Sequence, residues 1–155
     1  IVGLAEALRL AQEEREQNAA YVSSLRDRFI SRVLHEIPYV KLNGHPQNRL
    51  PANANFSFRY IEGESLLFSL DLASIAVSSG SACSSGSLEP SHVLLAMGLP
   101  EGLAHGSIRF SFGKDNTPAQ IDYAVDKLKE IVVKLRALSP LFPKDLKNEV
   151  FEKEI

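Results

Sequence analysis

The 155-residue chain has one cysteine, one methionine and no tryptophan, and its 17 basic and 19 acidic side chains nearly cancel. Each shortage excludes something. A single cysteine cannot close an internal disulfide, and together with scattered histidines it matches no zinc-ligand spacing, so no metal site is expected. No apolar run approaches the roughly 18 residues of a spanning helix, and no signal-peptide pattern opens the chain. A reducing compartment is therefore expected, the cytoplasm or an organelle matrix. The formal net charge is -2, and lysines and arginines are dispersed among acids, so there is no basic stripe for a phosphate backbone. Neither nucleic acid nor a membrane is expected as a partner. What is present is 45% hydrophobic residues, enough for one buried core without a metal or disulfide. The chain opens at Ile1-Val2-Gly3, without methionine and already inside a helical pattern, which suggests further chain upstream.

Periodicity gives helix, short strands, then helix. From Leu4 the apolar residues Leu8, Ala11, Val22, Leu25, Phe29 and Val33 recur at helical spacing until Ile37-Pro38, which predicts one long amphipathic helix with Arg15 and Asn18 interrupting its stripe. Residues 39–42 and 53–60 read as strands, the second alternating polar and apolar; residues 64–72 suit a short helix. Ile75 to Val77 reads as a short buried strand. Pro90 is expected in the first turn of a helix from Ser91 to Met97 that Gly98 ends. Residues 107–112, Ser-Ile-Arg-Phe-Ser-Phe, alternate again and put Ser107, Arg109 and Ser111 on one face. Thr117-Pro118-Ala119-Gln120 combines a capping threonine, an N1 proline and a capping-box glutamine, and starts a helix that stops before Pro140. Residues 140–155 read as a tail of mixed charge. The expected architecture is α+β, a short-stranded sheet covered by two long helices.

The lone thiol has unusual neighbours. Residues 78–87 read SSGSACSSGS, with six serines, two glycines and one alanine around Cys83. A buried structural cysteine ordinarily sits among apolar side chains, so this one is placed to be reached. A cysteine nucleophile usually needs a histidine base, and the sequence does not decide which of His35, His45, His92 and His105 lies near it. An unperturbed thiol is only a few per cent ionised at neutral pH; proximity to the helix start after Pro90 would help it ionise.

Two long stretches, IEGESLLFSLDLASIAVSSGSACSSGSLEPSHVLLAMGL and LAHGSIRFSFGKDNTPAQIDYAVDKL, resemble the C-terminal region of the pyridoxal-phosphate cysteine desulfurases of the IscS/NifS type, in the class-V aminotransferase family. The resemblance begins at IVGLAEALRLAQEE and runs through LRALSPL. It implies that residues 1–139 are the small C-terminal domain of a fold-type I enzyme. It also implies that the large domain, with the cofactor and its Schiff-base lysine, lies outside this chain, which should be inactive alone. No residue of this chain is expected to bind the cofactor.

In such an enzyme the cofactor acts as an electron sink while a protein thiolate takes the sulfur of L-cysteine. The resemblance assigns that role to Cys83, which becomes a persulfide as alanine is released. Ser79, Gly80, Ser81, Ala82, Ser84, Ser85 and Gly86 would form the mobile loop that carries it to an acceptor. Arg109, in the SIRFS strand, would grip the substrate carboxylate with its guanidinium fork. His105, in LAHGSIR, is a weaker site candidate, because a histidine so placed is more often packed or capping than catalytic. The implied partners are L-cysteine, an iron-sulfur scaffold or other sulfur acceptor, and a second copy of the enzyme in a homodimer. A selenocysteine lyase of the same fold, or a non-catalytic interaction module, remains an alternative. The sequence departs from the housekeeping pattern at ACSSGS and FGKDNT and in a tail without tryptophan.

Overall fold

The computed structural model describes residues 1–79 and 89–143. Six helices and three strands are found among them: α1 (Val2–Glu13), α2 (Arg15–Glu36), β1 (Val40–Leu42), β2 (Asn53–Phe58), α3 (Gly63–Leu72), α4 (His92–Ala96), α5 (Glu101–Ala104), β3 (Ser107–Ser111) and α6 (Pro118–Leu138). The strands form an antiparallel sheet in the order β1-β2-β3, with Phe56 opposite Ile108 and Asn55 opposite Arg109.

The alternation along β2 and β3 decides which face is covered. Ala54, Phe56, Phe58, Ile108 and Phe110 point to one side and are buried against Leu25, Phe29 and Val33 of α2, Leu66 and Leu70 of α3, and Val125, Leu128 and Val132 of α6. Phe29 is the hinge of this layer, its ring 4.7 Å from that of Phe110 and 6.0 Å from that of Phe56. The capping box is formed as the sequence predicts: Gln120 N–H donates to Thr117 Oγ1 at 3.3 Å, and Thr117 N–H to Gln120 Oε1 at 3.0 Å. Arg28 and Arg32 of α2 reach Asp122 on α6, and the Arg28 guanidinium holds that carboxyl below its ordinary range.

Several expected elements differ. The first helix is two, broken at Glu14, where α1 loses the core: no α1 residue is buried, and Leu4 and Leu8 are exposed. The polar interruption at Arg15 and Asn18 therefore marks a bend, and Glu14 Oε2 accepts there from Lys114 Nζ at 2.7 Å and from Asn18 Nδ2 at 3.1 Å. Residues 75–77 are not a strand; only Ser78 bridges to β3. Pro90 precedes the α4 N-cap, Ser91, instead of sitting in the first turn. The four-residue α5 has no counterpart in the sequence reading, being too short to carry a period.

Two glycines sit where backbones touch. A Cβ on Gly63 would lie 2.6 Å from His105 O, and one on Gly106 would lie 2.5 Å from Phe58 O and 2.8 Å from Ile61 O. Gly63 N–H donates to His105 O at 3.0 Å, and Phe58 N–H to Gly106 O at 2.8 Å, so α3 and β2 close directly on the turn before β3. At the opposite edge Arg136 is buried with no carboxylate partner among the described residues. It donates to the carbonyls of Arg59 (3.2 Å) and Tyr39 (3.3 Å), and burial pulls its pKa down to about 10. Phe142, just past α6, is buried against Tyr60 and Tyr39, so packing continues beyond residue 139.

Candidate functional site

The second face of the sheet carries Asn53, Asn55, Ser57, Ser107, Arg109 and Ser111, and part of it opens on a cleft of about 450 Å³. Asn53, Asn55 and Arg109 form its floor, residues 43–50 one wall, and Ser91 to Met97 the other. Among the described residues no aspartate or glutamate lines it, whereas Arg49, Arg109, His45 and His92 do. An acid-free cleft with two guanidinium groups favours an anionic ligand.

The 43–50 wall is held by main-chain bonds. Gly44 adopts a φ of 83°, a left-handed value that favours glycine. Arg49 donates to three carbonyls, His45 at 3.0 Å, Asn43 at 2.9 Å and Asn53 at 3.3 Å, and its pKa is lowered by burial and by the neighbouring Arg26. His45 Nδ1 accepts from the N–H groups of Gln47 (3.1 Å) and Asn48 (2.9 Å), which holds the ring against the main chain of the wall. Arg49 and His45 are thus structural members of the wall.

Arg109 differs from Arg49. It is exposed, and among the described residues its guanidinium has no hydrogen-bond or ion-pair partner. Its backbone is firmly held: it pairs with Asn55 on one side, and on the other its N–H donates to Ser78 O at 2.8 Å while Ser78 N–H donates to its carbonyl at 3.2 Å. A fixed strand position with a free fork suits capture of a carboxylate.

Beneath the floor lies a chain of polar side chains that the sequence reading did not connect. Asn43 Nδ2 donates to Asn55 Oδ1 (2.6 Å) and Ser57 Oγ (2.8 Å), Ser57 Oγ lies 2.7 Å from Ser107 Oγ, and the Ser107 hydroxyl donates to Leu103 O at 3.3 Å. In the sequence Asn55 is only one polar position of the alternating strand 53–60; its place opposite Arg109 comes from the register of β2 and β3.

Of the other expected site residues, Cys83, Gly80, Ser81, Ala82, Ser84, Ser85 and Gly86 lie outside the described residues; Ser79 is half-buried beside the Ser78 bridge. His105 caps the end of α5, with Nε2 3.9 Å from Glu101 Oε1, and does not line the cleft; nor does His35, exposed at the end of α2. His92 lies on the cleft wall. Among the described residues no group of three His, Cys, Asp or Glu side chains could hold a metal ion, and no helix is long and apolar enough to cross a membrane.

The family model "Aminotransferase class-V" matches residues 1–124. A protein of Dictyoglomus turgidum named cysteine desulfurase IscS is 51% identical over 140 residues, which is 90% of this chain and 36% of that relative. One of the same name from Pseudomonas aeruginosa is 52% identical over 142 residues, 92% of this chain and 34% of the relative. Among solved structures, a NifS-like protein superposes with a TM-score of 0.73 at 31% identity, covering 84% of this chain and 32% of that one. The chain thus spans about a third of the length of the relatives it matches. With the family model spanning residues 1–124 and about half of the aligned residues identical to those of these relatives, the chain belongs to the class-V aminotransferase family.

Proposed function

We propose that this chain is the small-domain part of a pyridoxal-phosphate-dependent cysteine desulfurase, supplying the substrate-carboxylate clamp and the sulfur-accepting thiol. The observation that carries the reading is Arg109: its guanidinium has no partner among the described residues, it stands on the floor of a cleft that no described acid lines, and its backbone is bonded to Ser78. Cys83 lies five residue steps beyond Ser78, at most about 18 Å of chain. The same residue thus holds the carboxylate and roots the segment that bears the thiol.

The cofactor implied by the family supplies the electron sink for C–S cleavage. The cleft residues do not fit its covalent attachment: among the described residues no lysine lines the cleft, and Lys114 is engaged with Glu14. No step through the cofactor is assigned to residues of this chain, and the 155-residue chain alone is inactive on this reading. What its own residues do is narrower. Arg109 accepts the carboxylate in its fork and so fixes one end of L-cysteine. Cys83 ends as a persulfide while the substrate leaves as alanine; the net change, thiol plus cysteine to persulfide plus alanine, oxidises sulfur, reduces the β-carbon, and needs no outside redox agent. The persulfide then passes to a sulfur acceptor such as an iron-sulfur scaffold, in a homodimeric enzyme of the cytoplasm or an organelle matrix.

The test is Cys83→Ser in the complete enzyme, followed by trapping of protein-bound persulfide after addition of L-cysteine. A hydroxyl is far too weakly acidic to replace the thiolate, so persulfide should vanish with cofactor absorbance and fold intact. Undiminished labelling would overturn the assignment.

A further inference from the structure

The polar chain under the cleft has a direction, and the direction reaches the floor. A carbonyl only accepts, so the single Ser107 hydroxyl proton goes to Leu103 O, and Ser57 must then donate to Ser107. Ser57, its proton committed, can only accept from Asn43, which orients the Asn43 amide with Nδ2 toward Ser57 and Asn55. The reverse orientation would leave both Asn43 N–H donors buried without partners; the orientation described leaves one unpartnered acceptor, Asn43 Oδ1. Asn55 therefore gives its Oδ1 to Asn43, and its Nδ2 has no partner among the described residues, while Asn55 and Arg109 both line the cleft.

We infer that Asn55 is a second reader of the substrate carboxylate, its Nδ2 donating next to the Arg109 guanidinium and its orientation imposed by the Asn43–Ser57–Ser107 chain. The inference rests on the reading of Arg109 as the carboxylate clamp. Directly opposite residues of paired antiparallel strands have Cβ atoms about 5 Å apart, so a small anion held by the longer arginine can be shared with the amide. The inward half of Asn55 makes the orientation resistant to thermal flipping, because a flip would set a donor against the Asn43 donor.

Asn55→Asp isolates the outward half. The carboxylate keeps an inward oxygen for Asn43 and replaces the outward donor with an acceptor that repels an anion. In the complete enzyme this variant should raise KM for L-cysteine and the inhibition constant of the product L-alanine roughly ten- to hundredfold. The inhibition constant of L-alaninamide, which lacks the carboxylate, should not move, and neither should Tm. If Asn55→Asp does not fold, Asn55→Ser, too short to reach the anion, carries the same expectation for the three constants, with Tm lowered by the loss of the Asn43 contact. Unchanged constants for L-cysteine and L-alanine in a folded variant, while Arg109→Lys raises both, would overturn the role of Asn55 and leave the clamp standing. If Arg109→Lys also changes neither, the clamp and the inference fall together. Equal weakening of L-alanine and L-alaninamide would overturn the inference by making the effect structural.

Discussion

Phe56 and Ser57 are adjacent on β2 and both completely buried, yet they sit on opposite faces of the sheet and answer to different physics. Phe56 meets the rings of Phe29 and Phe110, and any apolar side chain of its volume would nearly serve. Ser57 meets Asn43 and Ser107 through bonds with a donor and an acceptor end, so volume alone cannot replace it. The covered face sets stability; the polar face sets the direction in which amide and guanidinium groups are offered to a ligand. One strand pair supplies both because its side-chain period is two.

The comparison can be broken at three places. Phe56→Ala should cost the most, roughly 3–5 kcal/mol of fold stability by lost burial and cavity formation, read from the denaturant midpoint. A large rise in KM for L-cysteine without that loss would mean the two faces are not separate. Ser57→Ala should cost less, about 1–3 kcal/mol for the partners left unsatisfied, and because Asn43 loses its orienting acceptor, KM should rise as well. Equal stability loss with KM unmoved would show that the polar chain is only packing. Arg109→Lys should leave the melting temperature unchanged and raise KM roughly ten- to hundredfold, since the charge stays and the planar fork goes. A fall in melting temperature with KM constant would make Arg109 a strand anchor.

The α+β layering was legible because its signals are local. Alternation in residues 53–58 and 107–111, and the Thr117-Pro118-Ala119-Gln120 cap, involve neighbours in sequence, and the structure forms each of them. The break at Glu14 was visible only as a blemish in the stripe, since the side chain that secures the bend comes from Lys114, across the fold. Ile75 to Val77 looked like a strand because a short apolar run has no period to betray it. The cleft was illegible for a related reason. Its floor joins residues 53–55 to Arg109, its walls come from residues 43–50 and 91–97, and each segment alone is an unremarked turn, strand or short helix. Arg109 is a candidate only through resemblance; Asn43, Asn55, Ser57 and Ser107 become one unit only when β2 and β3 are set in register.

The close approach at Gly63 and Gly106 has a consequence for mutational tolerance. At both positions the obstacle is a main-chain oxygen, which cannot rotate out of the way as a side chain can, so even alanine forces α3 or β2 off the turn that launches Arg109. Gly3 and Gly102, with nothing within 4 Å of a Cβ among the described residues, face no such obstacle. In a saturation library, the described glycines barred by main-chain contact would trace the seam that fixes where Arg109 stands, whereas Gly44 and Gly98 would resist substitution through their positive φ instead.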